Sequence, residues 1–389
     1  MADSRRRPIW RVPHECSDLK DGGDVYLCLD AVIQGFLEEA VASAVAKFGA
    51  EWGTGMVVDP NTGRVLAMCS NPHFDPNTYW QADASTMTNR AISCPVEPGS
   101  IFKPIIAAAA VEAGLVNFET KIFCEHGRYY AHRGGCITDH GKRYEYLSLR
   151  EIVVRSSNIG MAKIGELFGN ENLYKTVKKF GFGKKTYIEL PGESPGMLRP
   201  IASWDGYSLR RVPFGQEISV TSLQMAMAFC SLVNGGVLYS PRLIDYITDS
   251  AGRRVYLDHP KPVRVLSPGV SAGILDVLRG VVEDKGGTGK NARLSLWSTF
   301  GKTGTAQVPG VGGYNNQDFM GSFVGGGPVS NPAVVCLVSI YKPDKSKGHY
   351  GGTVAAPAVA RVLEQSLEYL RIPPDKINEQ WTTVNRTAQ

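Results

Sequence analysis

Glu97-Pro98-Gly99-Ser100-Ile101-Phe102-Lys103 is the stretch on which the reading of this 389-residue chain turns. Pro98 and Gly99 interrupt what precedes them, and residues 101–113 are largely apolar and alanine-rich, the composition of a buried helix. Ser100 then falls at or near a helix N-terminus. Lys103 follows at i+3, so on a helix its ammonium shares a face with the Ser100 hydroxyl and the two can meet. Inside apolar packing, desolvation lowers a lysine pKa, so a neutral amine can take the serine proton. The helix N-terminus favours the negative charge that develops. The stretch predicts a nucleophile with its own base.

Ser-x-x-Lys alone is a cheap pattern, and Ser17-Asp18-Leu19-Lys20 repeats it in a polar stretch with no apolar helix behind it. The copy at Ser100 differs in its Pro-Gly break and in a lysine placed within an apolar helix, where an unpaired charge is costly. Residues that are 43% hydrophobic suffice for a sizeable core, and the net charge of +5 comes from 42 basic and 37 acidic residues without dense basic clusters. No nucleic-acid partner is expected. The run Arg5-Arg6-Arg7 is not followed by the ~10 apolar residues of a signal peptide, so neither a signal nor a membrane span is expected.

Cys28, Cys69, Cys230 and Cys336 lie in apolar runs and read as small core residues. Cys124 and Cys136, with His126, His132 and His140 around them, are the one cluster of ligand-like residues. They stand as weak candidates for a metal, or as a Cys124–Cys136 disulfide if the protein works outside the cytosol. The main expectation is no metal and no cofactor. The glycine cluster Gly286-Gly287-Thr288-Gly289-Lys290-Asn291 is not a phosphate loop, because Asp284 and Asn291 stand where Gly and Ser or Thr would be required.

Residues 1–24 read as an irregular leader, 25–371 as the folded domain and 372–389 as a polar tail. A short strand is predicted at 25–29 and a helix at 31–48. Two strands follow around the hairpin turn Asp59-Pro60-Asn61-Thr62-Gly63. Helical patterns recur at 147–168, 220–233, 268–283 and 354–370, and strand-length runs at 299–308, 319–325 and 333–341. Two strands early, three late and a helical body between them predict an α+β fold. It has an antiparallel five-stranded sheet, helices on both faces, an inserted all-helical region, and Ser100 at the junction.

Two further stretches strengthen the reading. Ser156-Ser157-Asn158 sets a hydroxyl and an amide two residues apart ahead of an apolar segment. Lys302-Thr303-Gly304-Thr305 carries a lysine, two hydroxyls and a glycine that lets a ligand approach the backbone. Alone, the first would be a cap or turn and the second an edge-strand charge that deters aggregation. Ser100-x-x-Lys103, Ser156-x-Asn158 and Lys302-Thr303-Gly304, in that order, resemble the active-site set of penicillin-binding proteins and serine β-lactamases. The longer match is to the transpeptidase domain of class B penicillin-binding proteins of septum formation and cell elongation. It adds Pro104, Arg155, Ile159-Gly160, Phe214-Gly215-Gln216-Glu217-Ile218-Ser219-Val220-Thr221, Gly301 and Ala306-Gln307, and covers about residues 24–370.

The resemblance implies that Ser100 attacks the carbonyl between the last two D-alanines of a peptidoglycan stem peptide, with Lys103 as base. Ser156 would relay the proton to the leaving amine and Asn158 would bind the substrate amide. Lys302, Thr303 and Thr305 would hold the terminal carboxylate beside Gly304, or that of a β-lactam. Backbone N–H groups of Ser100 and Thr305 would form the oxyanion hole. It implies division or elongation membrane proteins as partners and a place on the outer face of the cytoplasmic membrane. Members of the class usually carry an anchor and a pedestal, so the chain reads as an excised domain or an unusual soluble member. The alternatives are a DD-carboxypeptidase or β-lactamase on the same scaffold, or a β-lactam-sensing domain. No motif supplies the water-activating base of a β-lactamase, and Glu97 reads as a structural residue pairing with an arginine or a backbone amide.

Overall fold

Asp30 starts the first helix because its carboxylate accepts the backbone amides of Val32 and Ile33 at 2.9 and 3.1 Å. That helix, α1 (Ala31–Phe48), ends where Gly49 turns left-handed at φ 57°. Its buried side, Ile33, Leu37, Ala40, Val41 and Ala44, recurs at helical spacing. The strands β1 (Trp52–Val58) and β2 (Val65–Asn71) follow. Asp59 organises the turn between them by accepting Asn61 N and the Thr62 hydroxyl at 2.9 and 2.6 Å. The computed structural model describes residues 22–131, 135–310 and 313–376.

The inserted helical region contributes α2 (Lys103–Glu112), α3 (Leu149–Arg155), α4 (Asn158–Lys179), α5 (Ser222–Val233) and α6 (Pro268–Glu283). Then β3 (Phe300–Gly310), β4 (Gly313–Gly327) and β5 (Val334–Tyr341) complete the sheet, and α7 (Ala356–Tyr369) closes the domain. The strands lie in the order β3-β4-β5-β1-β2, and all neighbours are antiparallel. This is the α+β arrangement expected from the sequence, with β3 on the sheet edge. The insertion is not all-helical, however: short strand pairs such as Lys121–Phe123 with Tyr146–Ser148 and Met197–Leu198 with Ile218–Ser219 lie within it.

Because side chains alternate along a strand, the two faces of the sheet feed different cores. Met56, Val58, Val335 and Leu337 join the core of the inserted helices, with Ile105 and Ile106 of α2. Val57, Cys336, Val338 and Ile340 pack with α1 and α7. A β-carbon at Gly55 would stand 2.7 Å from Leu37 Cδ1, so the missing side chain lets α1 lie close on β1.

Two expectations hold with added detail and two need correction. Val25–Leu27 is a strand, but its side chains are exposed and it pairs with Ile244–Thr248 in a separate three-stranded sheet. The helical pattern at 147–168 is two helices, broken at Ser156, whose φ of 62° no helix allows. The second of them runs on through a kink at Gly169 to Lys179. The closing pattern at 354–370 is also interrupted, at Ala355, which follows the short helix Gly351–Val354. Finally, Ser100 lies in a 3₁₀ turn, Gly99–Phe102, that leads into α2 at Lys103.

Candidate active site

The turn that carries Ser100 is held from two sides. Gly99 takes φ 56° and donates its N–H to Gly215 O at 3.0 Å. A β-carbon at Gly215, itself at φ 81°, would meet Gly99 O at 2.2 Å, so only glycine fits the approach. One step out, Glu97 Oε1 accepts the Glu217 amide at 2.8 Å, and Val96 and Val220 exchange backbone bonds at 2.9 and 2.8 Å. Glu97 is therefore engaged with a backbone amide, as its sequence position suggests. On the other side runs edge strand β3: a β-carbon at Gly304 would stand 3.2 Å from Pro98 O and 3.0 Å from Ile101 Cγ2.

Beside this turn, two fully buried lysines converge on one hydroxyl. Lys103 Nζ donates to Ser156 O at 2.6 Å, Asn158 Oδ1 at 2.7 Å and Ser156 Oγ at 3.1 Å. Lys302 Nζ donates to Ser156 Oγ and Thr303 O, both at 3.0 Å. Burial pulls the Lys103 pKa down to about 7, with the Asp139 carboxylate opposing the fall. Burial, and then the charge of Lys103, hold Lys302 well below the ordinary lysine value. Lys302 is thus no solvated edge-strand charge.

The pairing of Ser100 with Lys103 expected from helical spacing is not made. Among the described residues the Ser100 hydroxyl has no hydrogen-bond partner, and the three Lys103 donors go to Ser156 and Asn158. The reason is local: Lys103 begins α2 just after the 3₁₀ turn, so its side chain leaves across the helix end toward the break between α3 and α4. That break is built from Ser156 at φ 62° and Ser157, which caps α4 by accepting Gly160 N at 3.0 Å.

The break is clamped by Asp139, a residue that sequence reasoning missed. Asp139, only 4% exposed, accepts Ser157 Oγ at 2.7 Å and the amides of Asn158 and Ile159 at 2.6 and 3.1 Å. An acid in a polar, glycine-rich loop carries no local sign that it will be buried against a helix N-terminus. Asn158 is spent within the site: Oδ1 accepts from Lys103, and Nδ2 donates to Thr138 O at 3.0 Å and lies 3.3 Å from His140 Nε2. Burial and the nearby Lys103 hold the His140 pKa below its ordinary value.

The hydroxyls of β3 also have protein partners. Thr303 Oγ1 lies 2.8 Å from Thr288 Oγ1, and Thr305 Oγ1 accepts Gly351 N at 3.2 Å. The glycine cluster that superficially suggested a phosphate loop thus serves as a wall behind Thr303. The weak metal candidates do not assemble. Cys124 is buried, 3.8 Å from Ser157 Oγ, whereas Cys136 is exposed, and both are free thiols. His126 belongs to a turn beside Cys124, and His132 lies outside the described residues. Among the described residues no group of His, Cys, Asp or Glu is gathered as a metal site.

A family model described as the penicillin binding protein transpeptidase domain matches residues 53–364. Stage V sporulation protein D of Bacillus subtilis is 35% identical over 375 residues, covering 94% of this chain and 57% of that protein. Penicillin-binding protein PbpB of Mycolicibacterium smegmatis is 33% identical, covering 92% of this chain and 56% of its own. The chain thus spans little more than half the length of these relatives. Among solved structures, penicillin binding protein 3 of Mycobacterium tuberculosis complexed with ampicillin superposes with a TM-score of 0.87 at 30% identity, over 94% of this chain and 82% of that one.

Proposed function

The chain belongs to the penicillin-binding protein transpeptidase family, and from that premise we propose that it is a serine-type peptidoglycan D,D-transpeptidase acylated by β-lactams. The observation that carries the reading is the fully buried Lys103, with a pKa pulled to about 7, bonded to Ser156 and Asn158 beside the Ser100 turn. As an ammonium it spends all three donors on protein acceptors. On losing one proton it gains a lone pair that can serve Ser100.

In this reading the terminal carboxylate of a stem peptide, or of a β-lactam, approaches Lys302, Thr303 and Thr305. A negative charge there favours the ammonium form of Lys302, which lies 3.0 Å from Ser156 Oγ. The charged Lys302 in turn disfavours charge on Lys103, so the substrate helps to prepare the base. Ser100 then adds to the carbonyl between the last two D-alanines, and its proton passes to Lys103. Backbone N–H groups of Ser100 and Thr305 hold the oxyanion, at about 3 kcal/mol per donor in comparable sites. The C–N bond breaks as a proton relayed through Ser156 reaches the amine, and D-alanine leaves. An amine of a neighbouring stem adds to the Ser100 ester, loses its proton and expels the serine, which closes a cross-link.

From the likeness to that family we infer a place at the cell envelope, on the outer face of the cytoplasmic membrane, with division or elongation membrane proteins as partners. Among the described residues no helix is long and apolar enough to cross a membrane. We assign residues 25–371 to the transpeptidase domain; most of the segments expected as a leader (1–24) and a tail (372–389) lies outside the described residues.

The test is intact mass after exposure to a penicillin, followed in time. One covalent adduct per chain is expected, absent in Ser100→Ala and persistent for many minutes, since Glu97 is tied to a backbone amide and Asp139 to the α4 N-terminus. An adduct that survives Ser100→Ala would reject the nucleophile. One that vanishes within seconds with release of penicilloic acid would make the protein a β-lactamase.

A further inference from the structure

The polar loop before α3 is the part of the site that the reaction scheme leaves without a role. Its Asp139 is nearly inaccessible, yet it receives Ser157 Oγ, Asn158 N and Ile159 N, and the adjacent Thr138 O receives Asn158 Nδ2. These four bonds fix both the backbone and the amide plane of Asn158. With Nδ2 committed to Thr138 O, Oδ1 is turned to Lys103 at 2.7 Å. Ser156, held at φ 62° immediately before the clamp, presents both its carbonyl and its hydroxyl to the same ammonium.

We propose that Asp139 is a positioning residue of the acylation reaction. Its carboxylate clamps the start of α4 so that Asn158 and Ser156 hold the Lys103 amine, and its charge sets how readily that amine carries a proton. The proposal deepens the transpeptidase reading and rests on it. Among the described residues the charged and titratable groups that act on Lys103 or are acted on by it are Asp139, His140 and Lys302, and Cys124 and Tyr144 also face Asp139. Of the first three, Asp139 alone can be an anion. Its charge favours the ammonium, so removing it makes the proton leave Lys103 more easily.

The experiment measures acylation by a fluorescent penicillin against pH for wild type, Asp139→Asn and Asp139→Glu, with thermal melts to establish folding. Asp139→Asn keeps the shape and loses the charge. Its plateau rate should fall about tenfold, and its acid limb should move down by about half to one pH unit. Asp139→Glu keeps the charge with altered reach, so its plateau should fall while the limb stays near that of wild type. A limb unmoved in folded Asp139→Asn overturns the proposal, since a merely structural residue would lower the rate without moving the limb. A wild-type plateau in Asp139→Glu also overturns it, and decides the matter if Asp139→Asn does not fold.

A crystal structure of Asp139→Ala supplies an arm independent of the reaction. Asn158 Oδ1 should leave hydrogen-bond range of Lys103 Nζ, and retention of the 2.7 Å contact overturns the clamp. Labelling that persists in Ser100→Ala would instead sink the transpeptidase reading, and the Asp139→Ala structure would still decide the role of the clamp.

Discussion

Lys103 concentrates the chemistry at the scale of a single residue. A lysine that is fully buried and pulled to a pKa of about 7 exists in both forms near neutral pH. In the proposed mechanism the working form is the neutral amine. As pH falls through about 7 the amine is protonated, so acylation of wild type should fall by about tenfold per pH unit below that value and level off above it. Stopped-flow labelling over pH 5–9 checks this, and a flat profile would mean that Lys103 is not the base. Lys103→Arg keeps the charge, but a guanidinium does not deprotonate, so acylation should drop by at least about 100-fold at any pH. A near-normal rate in that variant would move the base elsewhere.

At the scale of elements, the site is a meeting of four short backbone segments, three of them bent out of regular structure and the fourth a regular edge strand. The 3₁₀ turn Gly99–Phe102 abuts Gly215, the Ser156 break separates two helices, β3 passes the turn at Gly304, and the loop at Asp139 closes the set. Gly215→Ala tests the first contact. Its β-carbon would stand 2.2 Å from Gly99 O at a φ of 81°, so the Ser100 turn must shift. We expect a loss of about 2 kcal/mol or more in stability together with slower acylation. Gly114→Ala is the control: it has a comparable φ of 68° but nothing within 4 Å, so only the conformational cost of about 1 kcal/mol remains. Equal melting points and equal labelling rates for the two variants would show that the contact at Gly215 does not hold the turn.

Across the whole molecule, the sheet separates two cores, and the Ser100 helix belongs to only one of them. Leu37 lies in the other, on α1 over Gly55. Leu37→Ala should therefore cost about 2–5 kcal/mol by leaving a cavity, and the folded fraction should still be labelled at the wild-type rate. Urea denaturation reads the first effect and labelling kinetics the second. A large fall in acylation without unfolding would show that the sheet transmits strain from one core to the other.

What the sequence determined by itself was whatever depends on periodicity and local order. The helices at 31–48 and 268–283 were legible from apolar spacing, the hairpin around Asp59 from its turn residues, and the three late strands from apolar runs of strand length. Ser100, Lys103, Ser156, Asn158 and Lys302 were singled out because each lies in a short motif and the motifs keep their order along the chain. Only the tertiary structure decided their partners. Lys103 meets Ser156 and Asn158 rather than Ser100, Lys302 is buried on a strand edge that would otherwise be wet, and Asp139 and Gly215 become parts of the site. Hydrogen bonds between residues far apart in the chain depend on where the sheet and helices come to rest, and burial of a polar group depends on what packs over it. Neither leaves a periodic trace in the residues themselves.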